Sequence, residues 1–338
     1  MHQLETTGSW RDMGRQLGEA FRDEIQRAQE LFAPWLVSEP EKYAPALARL
    51  EGLLRAEGPE LLDEALGMAE GAGMTPEVGL GYRLFNQVPL FMDTGCSVVF
   101  MRDTDRGPLL GRNCDLGPNE LDLQLCHVRR PTGQTATIET TYVGLAAGWC
   151  LNEFGLGMAG ASAPAAAQSH EGLPGPVLAY RVMHDCRTVA QVRELLAGLP
   201  FLGKAANYLV ADETGDVALY EFVPGLPPRE VPPTHGGAWQ VATNFMLSEP
   251  EPWGAGPVYA QNAYARYGRV TQVLERGLAA PSVEGMHDLL GSIAQPGPVC
   301  PEGPGLLTAY SHIMDLRART MHLWPGHPAR VEPLVFTL

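Results

Sequence analysis

The strongest constraint on this chain is a change of character at Asp93-Thr94-Gly95-Cys96. Upstream, the first ninety or so residues read as almost purely helical, rich in Glu and poor in β-branched side chains. Between residues 6 and 36, Met13, Leu17, Phe21 and Ile25 recur every four residues and share one helix face, with Ser9 as a cap and Asp12 three residues on. A second helical stretch runs from about Tyr43 to Ala72, interrupted at Gly58-Pro59. Downstream, short β-type runs alternate with turn residues: CSVVFMRD, PLLGRNCDL, QLCHVRR, TATIETTYVG, LGMAGASA, NYLVADETGDVALYEF and WQVATNF. Residues 212–216, DETGD, read as a hairpin turn. Helices follow at PVLAYRVMHDCRTVAQVRELLAGL, AQNAYARYGRVTQVLERGL and SVEGMHDLLGSI, and LTAYSHIMDLRARTMHLWPG closes the chain as a hairpin. Strands, a block of helices and further strands behind a long α prefix make a layered α+β body.

Charge removes several functions from consideration. The 338 residues carry a formal net charge of −15, so a phosphate-backbone partner or an anionic membrane surface is disfavoured. No window approaches eighteen consecutive apolar residues, and MHQLETTGSWRDMGRQ lacks the apolar core of a signal peptide; the expected location is the cytoplasm. The 6 cysteines form no CxxC pair and the 9 histidines no HxH or HExxH, so no metal is expected. Residues 155–160, GLGMAG, match the dinucleotide-binding glycine pattern but are followed by ASAPAAA, with Pro164 inside the would-be helix. They read as a turn between strands, and no cofactor is expected. A GxSxG elbow is absent, and lysine is confined to Lys42 and Lys204, so a Schiff-base enzyme would rest on one candidate that reads as a solvated loop residue.

Chemistry concentrates at the junction. Gly95-Cys96 opens a strand where helix gives way to sheet, and Gly111-Arg112-Asn113-Cys114-Asp115 follows after fifteen residues. These are the features of a nucleophile masked by a removable segment, since glycine leaves the carbonyl before the cysteine unshielded. A free cysteine is only roughly 3% thiolate at pH 7, whereas an α-amino group with a pKa of about 7.7–8.0 is a good base; cleavage before Cys96 would place both on one residue. Arg112 and Asp115 could then flank the thiol. Cys114 reads as an ordinary packed thiol.

The sequence resembles the isopenicillin N acyltransferase family and its relatives, the choloylglycine hydrolases and penicillin V acylases, among the N-terminal nucleophile hydrolases. The resemblance is carried in order by TGSWRDMGRQLGEAFRDEI, TGCSVVF, GPLLGRNCDL, WCLNEFGLGMAGAS, NYLVADETGDVALYE, VATNF, NAYARYGRV and the terminal hairpin. It implies a four-layer αββα sandwich behind a helical pro-segment, residues 1–95 forming an α-chain and 96–338 the catalytic β-chain. It implies cleavage between Gly95 and Cys96, Cys96 as nucleophile, Asp115 holding the new amine, Arg112 over the thiolate and Asn244 donating into an oxyanion hole. Arg269, ahead of Arg266, would support them from a neighbouring helix; Ser162 stands where the choloylglycine branch usually has Asn or Tyr, and Asn152 is structural. The long leader favours the acyltransferase branch.

The expected function is therefore a self-processing cysteine hydrolase or acyltransferase acting on linear non-peptide amides or thioesters with an apolar acyl group. The alternative is a non-catalytic relative that binds or scaffolds. Expected partners are small molecules, without nucleic acid or membrane; the sequence leaves a homo-oligomer open.

Overall fold

A computed structural model describes residues 1–84, 95–146, 148–163, 172–248, 257–277, 281–295, 297–303 and 305–338. Residues 85–94, the end of the expected pro-segment, and Pro164 lie outside the described residues.

The chain begins with a strand, β1 (His2–Gly8), and this corrects the expectation of a purely helical prefix. It pairs in parallel with β4 (Gln124–Pro131), Leu4 opposite His127 and Thr6 opposite Arg129. The strand escaped notice because in HQLETTG only Thr6 is fully buried, so no alternation of apolar residues marks it.

Helices α1 (Trp10–Ala20) and α2 (Arg22–Phe32) divide what the four-residue spacing reads as one helix. Phe21, at φ −132° and ψ 40°, breaks it, yet Met13, Leu17 and Ile25 are all buried. Ser9 caps α1, its Oγ accepting from the Asp12 amide at 3.1 Å. After α3 (Trp35–Ser38), the break at Gly58-Pro59 separates α4 (Pro40–Glu57) from α5 (Pro59–Ala72), and α6 (Pro76–Arg83) follows. Helices α1 and α5 meet backbone to backbone: a Cβ on Gly14 would lie 2.0 Å from the Glu64 carbonyl oxygen, and one on Gly67 2.1 Å from that of Arg11. Only glycine permits this approach.

Two sheets form the body. The first has eight strands in the order β1, β4, β5 (Thr137–Tyr142), β6 (Trp149–Asn152), β7 (Gly157–Ser162), β10 (Ala206–Ala211), β11 (Val217–Phe222) and β12 (Arg229–Val231). The second has six: β13 (Trp239–Ala242), β2 (Gly95–Met101), β3 (Leu109–Leu116), β14 (Leu307–Asp315), β15 (Thr320–Trp324) and β16 (Leu334–Thr337). A separate parallel pair joins β8 (Leu173–Pro174) to β9 (Phe201–Leu202). The hairpin turn at 212–216, the turn in GLGMAG and the terminal hairpin fall where the sequence puts them; β16 is an addition to it.

Side-chain alternation sorts residues into layers. From β2 and β3, Cys96, Val98, Phe100, Leu110 and Cys114 enter the core between the sheets, while Val99, Met101 and Leu109 pack outward with α9 (Pro257–Glu275) and α10 (Val283–Leu290). On the far side, α7 (Gly175–Asp185) and α8 (Val189–Leu196) cover the eight-stranded sheet. The result is a four-layer αββα sandwich. Buried Asn152 ties β6 to the end of α7, donating to the carbonyls of Met183 and Cys186 at 3.0 Å each.

The N-terminal segment is bound to the body by buried charge as well. Glu64 of α5 is ion-paired with Arg83 and accepts at 2.8 Å from Arg129 of β4, whose guanidinium also meets Glu139 of β5; all four are buried. Burial alone would raise the Glu64 carboxyl, but Arg129 and Arg83 outweigh it and hold it well below the usual range. The cluster borders a cavity of about 30 Å³, room for about two waters and too small for an acyl chain. Glu64→Gln leaves buried Arg83 without its carboxylate and Arg129 with Glu139 alone, an expected loss of roughly 3 kcal/mol that urea unfolding would measure. A change under about 1 kcal/mol would show that the cluster is solvated rather than buried.

Candidate active site

The site gathers where β13, β2, β3 and β14 lie side by side, and each contributes by register. In the β2–β3 pair, Gly95 is opposite Asp115, Cys96 opposite Cys114 and Val98 opposite Arg112. Strand β13 pairs Ala242 with Val98, so the chain leaving it delivers Asn244 to the start of β2. Strand β14 sets Thr308 against Asp115 and slips register before Tyr310.

Cys96, Arg112 and Cys114 share the face turned to the other sheet. Arg112 is fixed at three points: Nε donates to the Gly160 carbonyl at 2.8 Å, Nη1 to the Tyr310 hydroxyl at 3.1 Å, and Nη2 to Cys96 Sγ at 3.1 Å. Its guanidinium also lies over the Trp149 ring, 4.9 Å from the centroid. The Cys96 thiol is held well below its ordinary value, first by a hydrogen bond from Cys114 and then, against burial, by the charges of Arg112 and Arg266. Burial and the same contact push the Cys114 thiol up, so of the two sulfurs Cys96 is the one disposed to lose its proton. Cys114 is packed in the core between the sheets, as expected, and it also lies directly across the strand pair from Cys96. Pairing the two strand runs by alternation would have shown this, since it places the two cysteines opposite one another.

Asp115, Ser97 and Arg266 belong to the other face. Arg266 of α9 donates to the Cys96 carbonyl, to Ser97 Oγ at 3.0 Å, to Asn244 Oδ1 at 2.8 Å and to Asn262 Oδ1 at 2.8 Å. The order expected between the two arginines is corrected here: Arg266 is buried against the cluster, whereas Arg269 is three residues further along α9, half-buried, and makes none of these contacts. One turn of helix separates them, and sequence spacing does not say which residue of the turn points inward.

Asn244 is buried and links both faces. Its Oδ1 accepts from the Cys96 amide at 2.7 Å as well as from Arg266, and its Nδ2 donates to the Ser162 carbonyl at 2.8 Å and to Ser162 Oγ at 3.3 Å. Ser162, at the end of β7, therefore orients the asparagine.

Asp115 accepts from Thr308 Oγ1 at 2.7 Å through Oδ1, while Oδ2 is buried with no hydrogen-bond partner among the described residues. That oxygen faces Gly95, where an added Cβ would lie 2.8 Å from it. The glycine is explained here by close approach. Burial raises the Asp115 carboxyl to about 7, with Cys96 adding to the effect and Arg266 and Thr308 opposing it. Asp115 and Arg112 are both buried and sit on opposite faces of β3, so they do not form the surface ion pair that their proximity in sequence allows.

Among the described residues no group of His, Cys, Asp and Glu is arranged to hold a metal, and no helix is long and apolar enough to cross a membrane.

Residues 102–317 match the family model described as acyl-coenzyme A:6-aminopenicillanic acid acyl-transferase. No curated protein matches in sequence. Among solved structures, a Caenorhabditis elegans ortholog of N-acylethanolamine-hydrolyzing acid amidase aligns at TM-score 0.51 and 13% identity, over 72% of this chain and 100% of that one. A conjugated bile acid hydrolase from Clostridium perfringens aligns at 0.47 and 14%, over 72% and 92% of the two chains. Penicillin V acylase from Agrobacterium tumefaciens aligns at 0.46 and 12%, over 71% and 84%. The first of these likenesses establishes a shared fold.

Proposed function

The chain belongs to the acyl-coenzyme A:6-aminopenicillanic acid acyl-transferase family and is an enzyme of the amide hydrolase or acyltransferase kind; from this premise we propose that it is a self-processing cysteine enzyme that acts on linear amides through a Cys96 acyl-enzyme. The observation that carries the reading is the Cys96 sulfur, buried 3.1 Å from Arg112 on the residue whose own amide is held by Asn244 at 2.7 Å.

In the uncut chain the Cys96 thiolate attacks the Gly95 carbonyl. The acyl group moves to sulfur as the Gly95–Cys96 C–N bond breaks, and the amide nitrogen leaves as an amine after gaining a proton. Water then hydrolyses the thioester, giving a Gly95 carboxylate and a free thiol. Residues 1–95 become an α-chain that β1 and the Glu64 cluster keep on the body, and residues 96–338 the β-chain.

In the processed enzyme the Cys96 α-amine takes the thiol proton. The thiolate adds to the substrate carbonyl, and Asn244 Nδ2, released from Ser162, donates to the oxyanion. Collapse expels the substrate amine, which takes its proton from the α-ammonium. Water or a second amine then resolves the thioester, so hydrolysis and transfer share one intermediate. Arg266 supports this from behind by holding Asn244 and the Cys96 carbonyl. Intact mass and N-terminal sequencing of the purified protein, followed by a panel of amides with apolar acyl groups, test the reading. A chain uncut at Cys96 and inert toward the panel would count against it.

Asp115 holds the ammonium that cleavage creates, through the oxygen that is unpartnered before it. This gives a pH signature. In an uncut Cys96→Ala chain burial still holds the folded Asp115 carboxyl above its unfolded value of ~3.9, the contribution of Cys96 being gone, so the native state binds the extra proton in the window between the two. Stability is lost as pH rises through that window, by about 1.4 kcal/mol for each unit by which the folded value exceeds the unfolded one, and Asp115→Asn removes the loss. The thermal-midpoint gain from Asp115→Asn in that background is expected to be near zero at pH 4 and greatest above pH 7. A gain independent of pH would contradict the assignment.

A further inference from the structure

Lys204 has no role in the chemistry above, and the chain has only one other lysine, Lys42, which pairs with Glu39 on the surface. Lys204 lies in the short connection between β9 and β10. The next residue, Ala205, accepts from the Ala163 amide at 2.9 Å, and Ala206 is registered opposite Ser162, the residue that holds Asn244. The backbone therefore fixes Lys204 beside the end of β7, at the rim of the Cys96 cluster.

Its side chain is half-buried, and among the described residues it has neither a hydrogen-bond nor an ion-pair partner, although the chain carries 39 acidic residues. Burial lowers its pKa, and the charges acting against burial are Cys96 and Glu120, which places the ammonium within electrostatic reach of the nucleophile. Glu120 is buried, accepts from the Tyr142 hydroxyl and acts on Lys204 through its charge without forming an ion pair with it. A half-buried ammonium beside the Cys96 cluster with no hydrogen-bond or ion-pair partner among the described residues is matched by an anion arriving with a ligand.

We propose that Lys204 determines specificity by holding a carboxylate carried by the amide substrate, either on the amine side or on the acyl side of the bond that is cut. This rests on the reading of Cys96 as the nucleophile. The rest of the acyl group packs on apolar surface, so the selected substrates are amphipathic amides with one negative charge near the reacting carbon.

Two measurements on the purified full-length protein test this separately from amidase activity. The first compares alkylation of Cys96 by iodoacetate and by iodoacetamide, reagents of similar size that differ in charge. Lys204→Met is expected to lower the iodoacetate-to-iodoacetamide rate ratio about three- to tenfold and Lys204→Arg to restore it; an unchanged ratio in Lys204→Met overturns the proposal. The second compares kcat/KM for an N-acylglycine and its neutral glycinamide, and for a glutaryl and a pentanoyl anilide. Lys204→Met is expected to cost about tenfold, mostly in KM, on the charged member of one pair, and less than twofold on its neutral partner. The affected pair identifies the side that carries the carboxylate. Equal losses on charged and neutral members of both pairs overturn the proposal. A shifted alkylation ratio in a protein inert to every amide would refute the amidase reading and leave the cation's place beside the sulfur intact.

Discussion

Replacing Cys96 by alanine is expected to leave a single 36.6 kDa chain with no detectable amide turnover. Both losses follow from one atom. In the proposed scheme the sulfur attacks Gly95 in the uncut chain and the substrate afterwards. Cys114 lies across the strand pair, but burial pushes its thiol up and makes it the poorer nucleophile. The fold should survive, because the side chain removed is small and the sheet register is set by backbone pairing. Mass spectrometry and thermal unfolding on the same sample decide the matter. Two fragments from a folded Cys96→Ala protein would end the account, since nothing else described here performs the first cut.

Asn244→Asp is expected to lower kcat by about 10²–10³, equivalent to roughly 3–4 kcal/mol in the barrier, with little change in KM. The substitution keeps an oxygen to accept from the Cys96 amide and from Arg266, so the packing around the junction is retained. It removes the Nδ2 donor, and with it the bonds to Ser162 and the proposed contact with the oxyanion. Asn244→Ala should lose as much activity and some stability besides, because it leaves the buried Arg266 guanidinium short of an acceptor. Acylation rates followed before steady state separate the two effects. Near-wild-type kcat in Asn244→Asp would remove this side chain from the oxyanion hole and leave it a purely positioning residue.

The candidate site was largely legible because its residues sit in short motifs at strand ends. Gly95-Cys96, Arg112 and Asp115 are close in sequence, and an asparagine at the end of a strand run stands out by type. The choice between Arg266 and Arg269 was not legible, since both fit a helical face and only the seating of α9 on the six-stranded sheet separates them. Residue type alone gave Cys114 as a buried thiol, which it is, but not that Cys96 lies opposite it across the strand pair. Lys204 had no local signal: loop lysines are ordinarily solvated, and this one matters because β10 returns beside β7.

The sequence by itself determined that this chain is a layered α+β protein with a helix-rich prefix, strands after Cys96 and turns at their glycines, because periodicity and turn chemistry act over a few residues. It could not show that residues 2–8 form a strand, since the partner strand lies more than a hundred residues away and supplies the hydrogen bonds. Tertiary structure alone decided which sides of β2 and β3 hold the sulfur and the carboxylate, and where the partners of each come from. Arg112 is anchored by the opposite sheet, Asp115 by β14, and Asn244 by β7 and α9. A thiol is shifted down and a carboxyl up from their ordinary values by burial and by charges brought in from distant segments, and those exist only once the two sheets have closed on each other.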